Sequence, residues 1–369
     1  MRIIYFFTFD YSLKTIENSG SLDREIEYFK YLNKTFGYTF LLVTYGDNSE
    51  KNLLTEYDFI DILPIYSLFN KNKYKIIRYL SSFLYPFKLK KCTGDFDLIK
   101  QNQLLGSWVA IIFKIITKKK LFIRTGYDMY TFSKQEKKPR YIICLYYLLT
   151  KFSLIFADLY TVSNNEDKNL LLKINKKRSI ELIPNWVENL NYTDFNSRND
   201  NKIICVGRLE YQKNYFYLLN IFLSNTNIEV DIYGDGSLLN ELKALSSDLN
   251  LKVNFQGTLN YKELKNIYQK YKIFVSTSLF EGNPKSTLEA MSAGCVPVVS
   301  EIPNNIEIIK KNETGVLFSF EDQLGELLKN LFKESENLAN MSYECHKGII
   351  QSNNIDVVAS SENNLIQSL

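Results

Sequence analysis

The chain has 369 residues, 45% of them hydrophobic and 23% charged, with 45 Lys/Arg against 41 Asp/Glu; that is enough for two globular domains with separate cores and excludes a disordered or collagen-like chain. Five scattered cysteines without a C-x-x-C pair, and His346 as the single histidine, argue against a disulfide framework, a zinc centre and Ser/His or Cys/His catalysis, and for reduced cytosolic thiols. The opening run Ile3-Ile-Tyr-Phe-Phe-Thr-Phe is short, lacks a cleavable-leader pattern and reads as a first strand, so a cytoplasmic protein is expected.

Strand-type runs then alternate with helical patterns. In the first half they are Arg2 to Phe7, Phe40 to Thr44, Leu98 to Gln101, Leu121 to Arg124 and Leu159 to Val162. In the second they are Ile203 to Val206, Glu229 to Tyr233, Val253 to Gln256, Ile273 to Thr277 and Val296 to Ser300. Such alternation predicts an α/β protein with parallel sheets covered by helices on both faces. The polar stretch Asn191 to Asn201, after Leu182-Ile-Pro-Asn-Trp-Val-Glu188, is the expected linker. The predicted domains are 1–190 and 191–350, with 351–369 as a tail packing back on the first domain.

Charge is uneven along the chain. Residues 1–190 hold 29 Lys/Arg and 19 Asp/Glu, residues 191–369 hold 16 and 22, so the first half is the one expected to face anionic partners. Lys71, Lys73, Lys75, Arg78, Lys88, Lys90 and Lys91 come without an intervening acid and alternate with aromatic and aliphatic residues. This composition suits an anionic membrane surface contacted through residues 71–91; no nucleic-acid motif accompanies it. Asp95-Phe-Asp97 spells a metal-binding D-x-D but reads as a loop before a strand. Asn102, Gln103 and Gly106 follow that strand and are expected to line an acceptor-side wall. The apolar run Tyr141 to Tyr160 contains Lys151 and Asp158, which favours a buried or interfacial helix over a membrane span.

Three constellations in the second half carry chemistry. In Val206-Gly-Arg-Leu-Glu-Tyr-Gln-Lys-Asn214, Gly207 frees the backbone to turn and Arg208 and Lys213 project as two cations able to neutralise a departing diphosphate. Tyr233-Gly-Asp-Gly-Ser237 follows a strand, and Gly234 and Gly236 allow backbone to approach a nucleoside or diphosphate closely. In Leu279-Phe-Glu-Gly-Asn-Pro-Lys-Ser-Thr-Leu-Glu-Ala-Met291, Glu281 lies on a strand-to-helix loop and Pro284 suits the helix's first turn. Lys285 and Ser286 then offer N–H groups to an anion, and Glu289, about two turns deeper, can accept ribose hydroxyls. Glu281 is placed to hold hydroxyls of a sugar beyond the phosphates.

This last segment resembles the Glu-x7-Glu motif of retaining GT-B glycosyltransferases of family 4, also known as glycosyl transferases group 1: E-G-x-P and L-E-A-M stand in order from Glu281 to Met291 and are followed by Gly294-Cys-Val-Pro-Val-Val-Ser300. The resemblance runs nearly continuously from Lys202 to about Phe318 and includes a P-N-G-V-D-like linker, here P-N-W-V-E. It implies two Rossmann-like, doubly wound parallel-sheet domains facing across a cleft. It assigns catalytic roles to Arg208, Lys213 and Glu281, and donor contacts to Gly207, Gly234, Gly236 and Glu289. It also makes Gly20 and Ser21 similar to a glycine-rich loop touching donor phosphates, although the family's second glycine is serine here. Many relatives carry a histidine after the strand ending near Arg124; here Arg124 and Asp128 occupy that region. Arg124 is accordingly a catalytic candidate and Asp128 an acceptor-side one.

The expectation is a hexosyltransferase-like enzyme that takes a nucleotide-diphosphate sugar and a lipid-linked or growing saccharide acceptor in surface-polysaccharide assembly. It needs no cofactor or essential metal, and works peripherally at the inner face of the cell membrane. Two rivals are a catalytically silent donor-binding partner of another transferase and a GT-B sugar-nucleotide epimerase.

Overall fold

Short runs of β-branched and aromatic residues build the frame in the computed structural model, which describes residues 1–176, 179–222, 228–310 and 313–369. Unit 1 comprises Met1–Pro184 with Ala359–Leu369, and unit 2 comprises Asn185–Val358. The division falls at Pro184, ahead of the polar stretch that sequence suggested as the linker.

Unit 1 contains strands β1 (Arg2–Phe6), β2 (Thr39–Thr44), β3 (Ile60–Pro64), β4 (Leu98–Asn102), β5 (Lys120–Thr125), β6 (Leu159–Val162) and β7 (Glu181–Leu182). Its helices are α1 (Leu13–Asn18), α2 (Leu22–Phe36), α3 (Lys75–Ser82), α4 (Tyr85–Cys92), α5 (Ser107–Thr117), α6 (Met129–Gln135), α7 (Arg140–Phe156) and α8 (Asn165–Ile174). The sheet is parallel, in the order β3-β2-β1-β4-β5-β6-β7. Its core joins Ile4 and Phe6 to Ile99, Ile123, Val109, Phe113 and Leu154.

Unit 2 contains β8 (Asn199–Val206), β9 (Glu229–Tyr233), β10 (Val253–Gly257), β11 (Tyr271–Ser276), β12 (Val296–Ser300) and β13 (Val316–Phe318). Its helices are α9 (Tyr215–Phe222), α10 (Leu239–Asp248), α11 (Tyr261–Tyr268), α12 (Lys285–Ser292), α13 (Pro303–Ile308), α14 (Leu324–Lys333) and α15 (Ser335–Asn353); α16 (Ile355–Gln367) starts here and ends in unit 1. This sheet is also parallel, in the order β10-β9-β8-β11-β12-β13.

Both sheets thus reverse their direction of growth once, between β1 and β4 and between β8 and β11. Loops leaving the carboxyl ends of those strand pairs are where an open parallel sheet binds ligands. All ten strands read from sequence are present. The three that sequence missed, β3, β7 and β13, are sheet edges, where one flank is unpaired and short or acid-containing segments such as Ile60-Asp-Ile-Leu-Pro64 suffice.

The last helix is anchored in unit 1 by Glu362, whose carboxylate pairs at 2.5 Å with Lys100 of the central strand β4. Both side chains are nearly inaccessible, 4% and 1% exposed. The rings of Tyr5, Tyr28 and Phe122 lie around the ammonium group, and burial lowers its pKa, opposed by the Glu362 carboxylate. Among the described residues no helix is long and apolar enough to cross a membrane.

Candidate active site

The site in unit 2 is assembled from the loops that leave β8 and β11, on either side of the sheet's reversal point. After β8, Gly207 donates its N–H to Tyr233 O at 3.0 Å and Leu209 donates to Asp235 O at 2.9 Å, locking this loop to the one after β9. The approach is too close for side chains: a Cβ on Gly234, whose φ is +140°, would lie 2.0 Å from Gly207 O, and one on Gly236 would lie 2.4 Å from Leu209 O. These glycines therefore let two backbones touch, a use that the sequence reading, which assigned them to a nucleoside or diphosphate, did not anticipate. Glu210 closes the junction by accepting from Ser237 N and Oγ at 3.0 and 2.8 Å, contacts that hold its carboxyl below the usual range.

Arg208 is exposed, with Nη2 3.3 Å from Gln212 Oε1. Lys213 behaves differently from the open cation expected: its Nζ is 2.5 Å from Glu281 Oε1, and the two side chains are 14% and 9% exposed. Glu281 is further held by Ser278 Oγ at 2.7 Å and Gln212 Nε2 at 3.3 Å, while its carbonyl accepts from Asn304 Nδ2. Gln212 also donates to Phe280 O at 2.8 Å, and Leu279 N donates to Gln212 O at 2.9 Å. The two loops are therefore one hydrogen-bonded unit. Asn185, the first residue of unit 2, adds support through N and Nδ2 contacts of 2.8 Å each to Asn283 Oδ1 and O.

The helix carrying the second glutamate starts one residue later than the first-turn proline expected from sequence. Pro284 occupies the N-cap position of α12, and its carbonyl accepts from Leu288 N at 3.1 Å. A proline cap offers the first turn no side-chain acceptor, and Lys285 and Ser286 are its first two residues, at the positive end of the helix dipole. Glu289 lies about one turn into α12 and is half-buried, close enough to Tyr268 to add to the burial that raises that phenol's pKa. Gln212, Ser278, Asn185 and Asn304 were not singled out from sequence. They are polar residues inside or beside the recognised motifs, and their supporting role depends on contacts 3 to 98 residues apart.

In unit 1, Gly20 has φ +72° at the turn between α1 and α2, and Ser21 precedes the first residue of α2. A short helix, α1, therefore separates β1 from this turn. Gln103 has φ +69°; its N–H bonds Arg124 O at 2.8 Å and its Oε1 accepts from Gly126 N at 3.1 Å. Asn102 O accepts from Thr8 Oγ1 at 3.3 Å and from Gln101 Nε2 at 2.9 Å. Gln101, fully buried and not anticipated, braces the whole 102–105 loop. Arg124 Nη2 is 3.2 Å from Pro184 O.

Asp128 is not available as an acceptor-facing group. It is 1% exposed and caps α6, accepting from Thr131 N and Oγ1 at 2.8 and 3.1 Å. Its N–H bonds the buried carboxylate of Asp167 at 3.1 Å. Burial raises the pKa of both acids, and with the Asp128 charge nearby that of Asp167 reaches about 7. Asp95-Phe-Asp97 lies at the amino end of β4, where Asp97 Oδ2 accepts from Arg2 N at 2.7 Å, so it caps a strand as a loop. Among the described residues no group of three His, Cys, Asp or Glu is placed to hold a metal ion.

Residues 193–347 match the family described as glycosyl transferases group 1. Over 303 residues the chain is 26% identical to the UDP-Gal:alpha-D-GlcNAc-diphosphoundecaprenol alpha-1,3-galactosyltransferase of Escherichia coli, covering 76% of this chain and 77% of that protein. It is 27% identical over 260 residues to the O-antigen biosynthesis glycosyltransferase WbnH of Escherichia coli, covering 69% and 73%. Anabaena HepE, solved with UDP and glucose, superimposes over the full length of both chains with a TM-score of 0.79 at 16% identity, a likeness of fold. With the paired parallel sheets and the loop unit after β8 and β11, these similarities establish that the protein is a glycosyltransferase of GT-B fold carrying a glycosyl transferases group 1 domain.

Proposed function

We propose that the protein is a retaining hexosyltransferase of family 4 type that moves a sugar from a nucleotide-diphosphate donor to a lipid-linked or growing saccharide in surface-polysaccharide biosynthesis. The observation that carries this reading is the convergence of Arg208, Lys213 and Glu281 at the reversal point of one sheet, with the amino end of α12 in the same unit. Arg208 and Lys213 neutralise the charge that develops on the departing diphosphate. Glu281 holds donor-sugar hydroxyls, and Glu289 the ribose. Retention follows from front-face attack in which the leaving phosphate takes the acceptor's proton, so no histidine base and no essential metal are required. Arg124 remains the first-unit candidate near the reacting sugar. The Escherichia coli relative named for a diphosphoundecaprenol acceptor and the O-antigen relative support a lipid-linked acceptor and a surface-polysaccharide setting.

Residues 71–91 are proposed to hold unit 1 against an anionic membrane from the cytoplasmic side. Arg78 leaves that set of cations: it is bound to Asp10 through Nε–Oδ1, Nε–Oδ2 and Nη2–Oδ2 contacts of 3.1, 3.1 and 2.6 Å.

The test is a panel of nucleotide sugars scored first by thermal stabilisation and then by transfer to polyprenyl-diphosphate-linked saccharides, with and without EDTA, and with the product anomer read by NMR. An α-linked donor is expected to give an α-linked product at an EDTA-insensitive rate. A β product would overturn retention, acceptor-independent release of an epimerised sugar nucleotide would favour the epimerase, and donor binding without turnover on any acceptor would favour the silent partner.

A further inference from the structure

Helix α7 is built the wrong way round for a helix on a sheet face. Of its apolar residues, Tyr141, Leu145, Leu148, Phe152 and Ile155 are 43 to 68% exposed, while Thr150, Ser153 and Leu154 are buried. The exposed five are spaced four, three, four and three apart, which places them on one stripe. Sequence favoured a buried or interfacial helix for this run; the structure turns its hydrophobic face outward. The only charge among the exposed positions from Tyr141 to Ile155 is Lys151.

The stripe continues onto neighbouring helices. Ser153 of α7 bonds Ser107 of α5 at 2.8 Å, Trp108 of α5 bonds Ser82 of α3 at 2.8 Å, and Lys90 of α4 bonds Ile116 O at the end of α5 at 2.9 Å. These helices form one layer whose inner side is spent on the core. Its outer side shows Leu80, Leu84, Phe87 and Ile115, each more than half exposed.

Charge identifies the occupant. Segments 71–91 and 137–157 contain no Asp or Glu, and Lys137 and Arg140 stand at the amino end of the α7 stripe, where Lys138 pairs with Glu136 at 3.3 Å. A second copy of this chain would bring an equally positive rim against it, whereas an anionic bilayer complements both the rim and the apolar centre. We infer that α7 lies in the plane of an anionic bilayer with its stripe among the upper acyl chains, and that the basic residues of 71–91 flank it at headgroup level. This rests on the proposed membrane association and adds an inserted, salt-resistant element to its electrostatic one. At 17 residues, with Thr150 and Ser153 among its buried positions, the helix suits insertion along the interface and not across the membrane.

The experiment uses the full chain with phosphatidylglycerol-rich and phosphatidylcholine vesicles, sedimented at about 0.05 M and about 0.5 M salt, where exposed charges are respectively weakly and strongly screened. Leu145→Gln/Phe152→Gln changes two exposed side chains and is expected to keep the wild-type melting temperature. It should lower partitioning at high salt at least about tenfold. Lys88→Glu/Lys90→Glu/Lys91→Glu should instead remove the salt-sensitive part and leave the high-salt remainder. An environment-sensitive probe on Cys144, which is exposed beside the stripe, in a Cys92→Ser background, should be quenched by brominated acyl chains.

If the protein sediments with anionic vesicles but the probe stays unquenched and the Leu145/Phe152 variant partitions normally, α7 is not inserted and only the electrostatic association stands. If the wild type binds neither vesicle type, both fail. If it is a dimer that the Leu145/Phe152 variant converts to a monomer with unchanged partitioning, the stripe is covered by a second copy and the inference is overturned.

Discussion

Lys213 and Glu281 form a 2.5 Å ion pair between residues 68 apart in the chain, across the reversal point of the second sheet. A diphosphate reaching Lys213 therefore meets a cation that already has a partner. Exchanging that partner frees Glu281 for sugar hydroxyls, which couples donor phosphate and donor sugar recognition in one step under the proposed function.

The two cations are predicted to respond differently to truncation. Arg208→Ala removes an exposed side chain and should lower kcat/KM by about 10² to 10³ with an unchanged melting temperature. Lys213→Ala should cost as much in rate and also about 1 to 3 kcal/mol in stability, because it leaves a nearly buried carboxylate without its cation. Steady-state kinetics with urea unfolding separates them; near wild-type turnover in both removes the diphosphate assignment.

Glu289→Gln should act on donor KM with little change in kcat, since ribose hydroxyls do not change during transfer. A kcat fall with constant KM would place Glu289 at the reacting sugar instead.

Two glycines one strand apart should fail by different routes. Gly234→Ala forces a Cβ to within 2.0 Å of backbone at φ +140° and should destabilise unit 2 by at least about 2 kcal/mol. A Cβ at Gly207 meets the flexible end of Lys213, 2.9 Å from Cε, so Gly207→Ala should keep the fold, displace the lysine and lose activity. Equal melting temperatures for the two variants would contradict this.

The buried Asp128 and Asp167 carboxyls make stability pH-dependent. Their folded pKa values are raised, Asp167 to about 7, so the folded state retains protons that the unfolded chain loses near pH 4. Stability from this source is complete below about pH 4 and is lost as pH rises to about 7. Asp167→Asn should flatten urea-derived stability across that window. An unchanged slope would show that Asp167 is ionised in the folded state at acidic pH.

Lys100→Met should destabilise the protein by about 3 to 5 kcal/mol by stranding Glu362, and adding Glu362→Leu should recover most of the loss. A double variant no better than the single one would mean that the ion pair itself, and not the unpaired charge, carries the stability.

Local pattern was sufficient wherever one segment holds its own cause. The apolar strand runs and the order of motifs from Gly207 to Ser300 were legible because strand formation depends on neighbours a few residues away. Tertiary structure decided what depends on distant partners. It sets Lys213 against Glu281, spends Arg78 on Asp10 and Asp128 on a helix cap, buries Lys100 against a glutamate 262 residues later, and turns the apolar stripe of α7 outward. A charge or a hydrophobic stripe is the same in sequence whether it meets water, lipid or protein. Only the packing of the other elements determines which, because burial and pairing are properties of the folded neighbourhood and not of the residue.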